Sequence, residues 1–395
     1  MDLDLSPLFL NSIGRGKIEV ITHLFYLPIA RAWEIRSRGI SNMRIIVSWI
    51  VLLWITMAGP SIGQYAEIEM QLISYTKVTQ EIFNKVPETE RKPLLIATFL
   101  NSTNPRSVKN LHDNIEFFRE KATFAVVVYD GTSVSIHSAC HASTSIASGI
   151  VHCRKATITY TNAYRSYPKP VLYPDLLPLL PYYRRALLID EDISLREINL
   201  KEFLRIWDCA FWPAHPPLVV QGLVYENTQN IKYVEWDYWK KNENSSSVIA
   251  AKSKFIEQQI PAFDSHFLYW FIDYVLAQWH EQYLHYQTDW GIDGLWCGAG
   301  FHFAHQVYGV PLNDSQFAPC ALITGTQPFH HLNGHTLKAK SHNHQKFWAD
   351  SLEFMELWKG YFTGWWMRTN TSKALGITDH RWVYSLDSKC PVSEI

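Results

Sequence analysis

The chain has 395 residues, 47% of them hydrophobic, so it can fill a sizeable core, and disorder is excluded as its default state. Its 36 Lys+Arg against 37 Asp+Glu give a formal net charge of -1, which leaves no global basic field to draw it to nucleic acid. Six cysteines without a Cys-x-x-Cys pair give no zinc-ribbon pattern; disulfides and buried thiols both fit them, and Cys140 and Cys153 are close enough in sequence to staple the stretch between them.

In chain order, the first feature is the apolar run Ile45–Ala58, which contains no charge. It is shorter than the roughly 20 residues of a spanning helix, although extension to Ile62 reaches the lower end of the usual range. Arg31, Arg36, Arg38 and Arg44 precede it and Glu67 and Glu69 follow it, which keeps the N-terminus cytoplasmic. The expectation is a cytoplasmic tail over 1–44 and a type II signal anchor over 45–62. A cleaved signal peptide ending near Ala58-Gly59 and a buried core helix are the alternatives. Either of the first two sends the chain to the Golgi or endoplasmic reticulum with its bulk lumenal, or secreted if the segment is cleaved. Sequons at Asn101, Asn244, Asn313 and Asn370 fit a lumenal chain.

A polar stem over 63–91 leads to Leu94–Leu100, which reads as a buried strand. Val108, Leu111, Ile115 and Phe118 recur at helical spacing within Ser107–Lys121, and Phe124–Tyr129 is a second apolar strand ending at Asp130-Gly131. Strand, helix, strand makes a βαβ unit. Ala156–Tyr160 is the expected third strand, Pro174–Arg185 a helical or irregular stretch, and Ala186–Ile189 a short strand delivering Asp190. Leu218–Val220, Phe255–Pro261 and Ala321–Thr324 are further strand candidates, and Phe267–Tyr286 reads as a long aromatic helix. No repeat or linker divides 92–337, so one α/β domain is expected there, with the Trp-rich extension 338–395 packing on it.

Asp190 and Asp192 of Leu187-Leu188-Ile189-Asp190-Glu191-Asp192 are two hard oxygen donors at a strand's C-terminal end, where α/β sheets bind ligands. Mg²⁺ or Mn²⁺ suits them and leaves positions for diphosphate oxygens; helix capping is the other reading, since Ile193–Trp207 has helical character. Asp130 before Gly131 fits a tight turn or a ligand contact. Asp289 and Asp293 fit an N-cap or a base for an acceptor hydroxyl. His330, His331, His335, His342 and His344 crowd one segment from which an imidazole could complete a metal shell.

Taken in order, these blocks resemble the domain-of-unknown-function seven-hundred-and-seven family of plants and microbes. The resemblance spans about Lys92 to Leu337. It is carried by Tyr129-Asp130-Gly131, Tyr173-Pro174-Asp175-Leu176, Leu188–Asp192, Phe255–Phe263, Trp290-Gly291-Ile292-Asp293 and His331 with Thr336-Leu337. The chain departs from the family's pattern at Ile189, where many relatives carry Trp, and at His335, where the closing block has Pro. The resemblance implies a GT-A-like, Rossmann-type mixed sheet flanked by helices and a metal-dependent glycosyltransferase using a nucleotide-sugar donor and a glycan or glycoprotein acceptor. A non-catalytic carbohydrate-binding or scaffolding protein on the same fold is the alternative. The implied site has Asp190 and Asp192 on the metal and diphosphate, Asp130 on the nucleotide, Asp293 as the catalytic residue at the acceptor or a catalytic water, and His331 on the metal, with His330 as its rival.

Overall fold

The computed structural model describes residues 60–118, 121–130, 133–146, 151–157, 169–211, 215–226, 248–253, 256–279, 292–311, 314, 317–332 and 382–390. The apolar run at 45–58 lies outside these, and among the described residues no helix is long and apolar enough to cross a membrane. The chain divides into two units, Met1–Glu69 and Met70–Ile395. Of the first, only the opening of helix α1 (Pro60–Asn84) is described. The stretch read as a polar stem is therefore helical to Asn84. Within the larger unit this helix is docked: the Phe83 ring stacks on His266 with centroids 4.3 Å apart, and Tyr274 Oη donates to Gln71 Oε1 at 2.8 Å.

The larger unit is built on a nine-stranded mixed sheet. Its first half repeats strand and helix: β1 (Lys92–Asn101), α2 (Pro105–Phe118), β2 (Thr123–Asp130), α3 (Ser133–Ile146), β3 (Val151–Lys155). After two 3-10 turns (Lys169–Leu176 and Leu180–Tyr182) the chain returns as β4 (Tyr183–Ile189) on the other side of β1. β3, β2, β1 and β4 are neighbours in that order and all parallel, so the strand order reverses between β1 and β4. Leu94–Leu100 and Thr123–Val128 are buried without a break, because helices on one face and the 3-10 turns on the other cover both sides.

The second half is more irregular. β5 (Ile193–Ser194) precedes α4 (Leu200–Cys209), whose N-cap Asn199 accepts from Glu202 N at 3.1 Å. β6 (Val219–Gly222), β7 (Val224–Glu226), β8 (Ala250–Lys252) and β9 (Pro261–Asp264) follow, then α5 (Ser265–Trp270). α6 (Asp293–Tyr308) ends on Gly309 at φ 67°, a left-handed residue that releases the chain from the helix, and leads to β10 (Cys320–Ile323). β11 (Phe329–His331) and β12 (Trp382–Val383) complete the strands. The large sheet runs β12-β8-β10-β6-β9-β4-β1-β2-β3, and β5-β11-β7 form a separate three-stranded sheet.

Four sequence expectations are corrected. The third strand is Val151–Lys155, an edge strand pairing only β2 in which Val151 alone is buried, so it lacks an apolar run; of the expected Ala156–Tyr160, Ala156 and Thr157 follow the strand and 158–160 lie outside the described residues. Ile256–Ile260 is turn rather than strand: Glu257 N donates to the Gln221 side chain at 2.8 Å, and pairing begins at Pro261. The aromatic helix breaks after Trp270 into a π turn (Phe271–Val275) and a 3-10 turn (Leu276–Trp279), with 280–286 outside the described residues. Ile193 belongs to a strand, and the helix after the acidic block begins only at Leu200.

All six cysteines are paired. Cys140–Cys153 ties α3 to β3, Cys297–Cys320 ties α6 to β10, and Cys209–Cys390 ties the end of α4 to the C-terminal segment, whose β12 also extends the sheet. Trp207, Trp270 and Trp296 are fully buried, so these rings serve the core.

Candidate metal centre

β4 ends at Ile189, and the next four residues form a tight turn closed by Ile193 N donating to Asp190 O at 3.0 Å. Asp190 and Asp192 therefore sit on either side of one bend, at the C-terminal edge of the parallel half of the mixed sheet and at the point where its strand order reverses. Chain geometry leaves a crevice at such a point, and α/β sheets bind ligands there.

Helix α2 fixes the bend. Its buried stripe is Ser107, Asn110, Leu111, Asn114, Ile115 and Phe118, so two asparagines one turn apart face inward among apolar residues. Asn110 Nδ2 donates to Glu191 O at 3.0 Å and to Ile193 O at 2.9 Å. Asn114 Nδ2 donates to the same Ile193 O at 2.8 Å, while its Oδ1 accepts from Leu195 N at 2.9 Å. Glu191 turns back toward β1 and accepts from Asn101 N at 2.6 Å. Burial pushes its carboxyl up to about 7, against the pull of that N–H donor.

The third component arrives from far along the chain. β11 lies between β5 and β7, and Leu332 N donates to Asp192 O at 2.9 Å. Successive strand residues face opposite ways. His330 accordingly meets the exposed Glu197 carboxylate at 2.9 Å, while the buried His331 places Nε2 3.3 Å from Asp192 Oδ2. Gly222 admits β11: a Cβ there would lie 2.3 Å from the Phe329 ring and 3.3 Å from Phe203.

One ligand atom from each of Asp190, Asp192 and His331 lies within 4.8 Å of the others. Two carboxylates and an imidazole suit a hard divalent cation, with Mn²⁺ tolerating the nitrogen better than Mg²⁺, and three protein ligands leave positions for ligand oxygens. The Lys169 ammonium rests on Asp190 Oδ1, so a cationic group already occupies part of this place. Burial raises the Asp190 carboxyl above its ordinary range, opposed by Lys169 and reinforced by Asp192.

The other expected residues are placed as follows. Asp130 ends β2 opposite Asn101, whose Nδ2 donates to Asp130 Oδ2 at 3.2 Å, which puts it on the same sheet edge. Tyr129 beside it is held well above the usual phenol range by burial and then by Glu191, Asp130, Asp190 and Asp192. Asp293 opens α6, its Oδ1 accepting from Gly294 N at 3.0 Å, and it is not one of the three residues that converge. Asp175 is buried, paired with Arg154 at 3.2 Å and accepting from Thr157 N at 3.0 Å, so it fastens the end of β3 to the 3-10 turn. Asn101, at a sequon, is engaged with Asp130 and Thr103. Asn244, Asn313, Asn370, Asp289, His335, His342 and His344 lie outside the described residues.

Sequence reasoning missed Lys169, Asn110, Asn114 and the inward turn of Glu191. The asparagines carried a signal, being polar residues at i and i+4 on the apolar face of α2. Lys169 carried none.

No family model and no curated protein matches the chain. Solved structures similar to it include a mannosyltransferase from Pyrobaculum calidifontis in complex with GDP-Man and Mn²⁺, at 11% identity over 80% of this chain and 86% of that one, TM-score 0.35. TarS from S. aureus in complex with UDP-GlcNAc shows 9% identity over 72% and 76%, TM-score 0.37. The galactosyltransferase LgtC, with donor and acceptor sugar analogues, shows 10% identity over 48% and 65%, TM-score 0.27. These neighbours are nucleotide-sugar glycosyltransferases.

Proposed function

We propose that this chain is a metal-dependent glycosyltransferase of GT-A type, transferring a sugar from a nucleotide-sugar donor to a glycan or glycoprotein acceptor in the secretory pathway. The observation that carries this reading is the convergence of Asp190, Asp192 and His331 at the reversal point in the parallel half of the sheet. Asp190, Asp192 and His331 would hold a divalent cation, whose chemistry is to offset the charge that develops on a departing diphosphate. Asn110 and Asn114 orient the bend that carries the two carboxylates. Asp130 and Asn101, on the adjoining strand ends, would hold the nucleotide. Asp293 would accept the proton of the acceptor hydroxyl, which suits inversion by single displacement. Three disulfides agree with an oxidising compartment, as does the apolar segment at 45–62 read as a type II anchor of the Golgi or endoplasmic reticulum.

The test is hydrolysis of a panel of sugar nucleotides by the purified full chain, with and without Mn²⁺, beside Asp192→Ala. Metal-dependent turnover should appear with at least one donor and fall about 100-fold or more in the variant. Equal turnover by both proteins overturns the assignment.

A further inference from the structure

We infer that Lys169 is an internal counter-ion that holds the place of the divalent cation on Asp190, gives way when the cation binds, and then grips the donor's diphosphate. This rests on the metal-diphosphate reading of the Asp190–Asp192–His331 cluster.

The observation is the position of the ammonium. Lys169 Nζ is paired with Asp190 Oδ1, and Asp190 is one of the three residues whose ligand atoms converge. Both side chains are largely withdrawn from water, Lys169 at 22% exposure and Asp190 at 19%. A dication shared by Asp190, Asp192 and His331 would bring two more positive charges to the carboxylate that Lys169 already neutralises. In a half-buried site that repulsion is poorly screened, so ammonium and dication compete for Asp190.

The lysine is also built to stay nearby after losing that contest. Its backbone begins the 3-10 turn in which Pro170, Val171, Leu172 and Tyr173 are all buried, so the foot of the side chain is fixed beside the end of β4. Lys169 Nζ lies 3.3 Å from Gln258 O, and the adjacent Gln259 O accepts from Asp190 N at 3.3 Å, so the same segment borders both residues. From a fixed foot, a flexible four-carbon stem can swing its three donors from the carboxylate to a neighbouring anion. Diphosphate oxygens completing the cation's coordination would be the anion nearest to hand.

The experiment is calorimetric titration of the full chain with Mn²⁺ alone, then of the Mn²⁺-loaded protein with UDP and GDP. Wild type, Lys169→Met, Lys169→Gln, Lys169→Arg and Asp192→Ala are compared, each checked for an unchanged thermal melting profile. Loss of the competing charge in the Met and Gln variants should tighten Mn²⁺ binding about tenfold without nucleotide and weaken binding of the preferred nucleoside diphosphate about tenfold or more. Lys169→Arg should retain the wild-type nucleotide affinity. Mn²⁺ binding by the neutral variants that is equal to or weaker than wild type overturns the inference, as does unchanged nucleotide affinity. In that case, Mn²⁺ binding by wild type that is lost in Asp192→Ala leaves the metal reading standing. Absence of Mn²⁺ binding in every protein overturns both.

Discussion

The asparagine clamp under the acidic bend makes a quantitative claim. Asn114 is 1% exposed and Asn110 7%, and both donate to the one carbonyl of Ile193. Asn114→Leu keeps the side chain's size, so little cavity cost is added, but it leaves Leu195 N–H without its acceptor in the core. A buried polar group left unpaired costs about 1–3 kcal/mol. Asn110→Leu strips the donor from Glu191 O at similar cost, while Asn114 still serves Ile193 O. Only the double variant deprives Ile193 O of both donors. Its loss should therefore exceed the sum of the singles by roughly 1–2 kcal/mol. Urea denaturation of the four proteins of the cycle measures this directly. The same loosening should weaken Mn²⁺ binding about tenfold in each single variant, the usual scale for groups that orient metal ligands. A cycle additive within about 0.3 kcal/mol would refute the shared-carbonyl argument.

Two further outcomes follow from individual contacts. Burial holds the His266 imidazole down to about 4, Asp264 pulling it up and Arg91 pushing it further down, between the rings of Phe83 and Phe303. Its unfolded value is about 6.5, so the unfolded chain binds the extra proton; stability should be complete above pH ~6.5 and fall by up to about 3 kcal/mol as pH drops to ~4. His266→Phe should flatten that part of the denaturation profile, and an unchanged slope would remove His266 as its source. Gly222→Ala sets a Cβ 2.3 Å from the Phe329 ring, two residues before His331. It should cost about 1–3 kcal/mol and weaken Mn²⁺ binding, with Phe329→Leu in the same chain restoring both; unaltered melting and Mn²⁺ affinity would show that this contact does not set β11.

What was legible in the sequence follows from how each element is stabilised. β1, β2, β4 and β10 are buried on both faces, so they appear as continuous apolar runs and were located to within a few residues. β5, β7, β8 and β11 have two or three residues each, too few to show a period, and exist because neighbouring strands pair with them. The edge strand β3 was displaced by the β-branched residues after it. Within the site, Asp190 and Asp192 were marked by their place after an apolar strand, whereas His331 was one of five histidines in a segment and was singled out only by family resemblance. Its separation from His330 required the strand alternation of β11.

Charge balance connects the site's parts. The field of Glu191, Asp130, Asp190 and Asp192 reaches one phenol, that of Tyr129, so four carboxyls crowd the edge formed by β1, β2 and β4. Glu191 eases this crowding by taking up a proton near neutrality, Lys169 pairs with Asp190, and His331 Nε2 stands 3.3 Å from Asp192 Oδ2. A single ammonium offsets one carboxylate, while on the proposed reading a dication at the triad would offset two and free the ammonium. The freed lysine and the cation's open coordination positions would then form an anion site where the carboxylates by themselves would repel a diphosphate. On the proposed reading, cation and nucleotide therefore bind with mutual reinforcement, each raising the affinity for the other by the same factor.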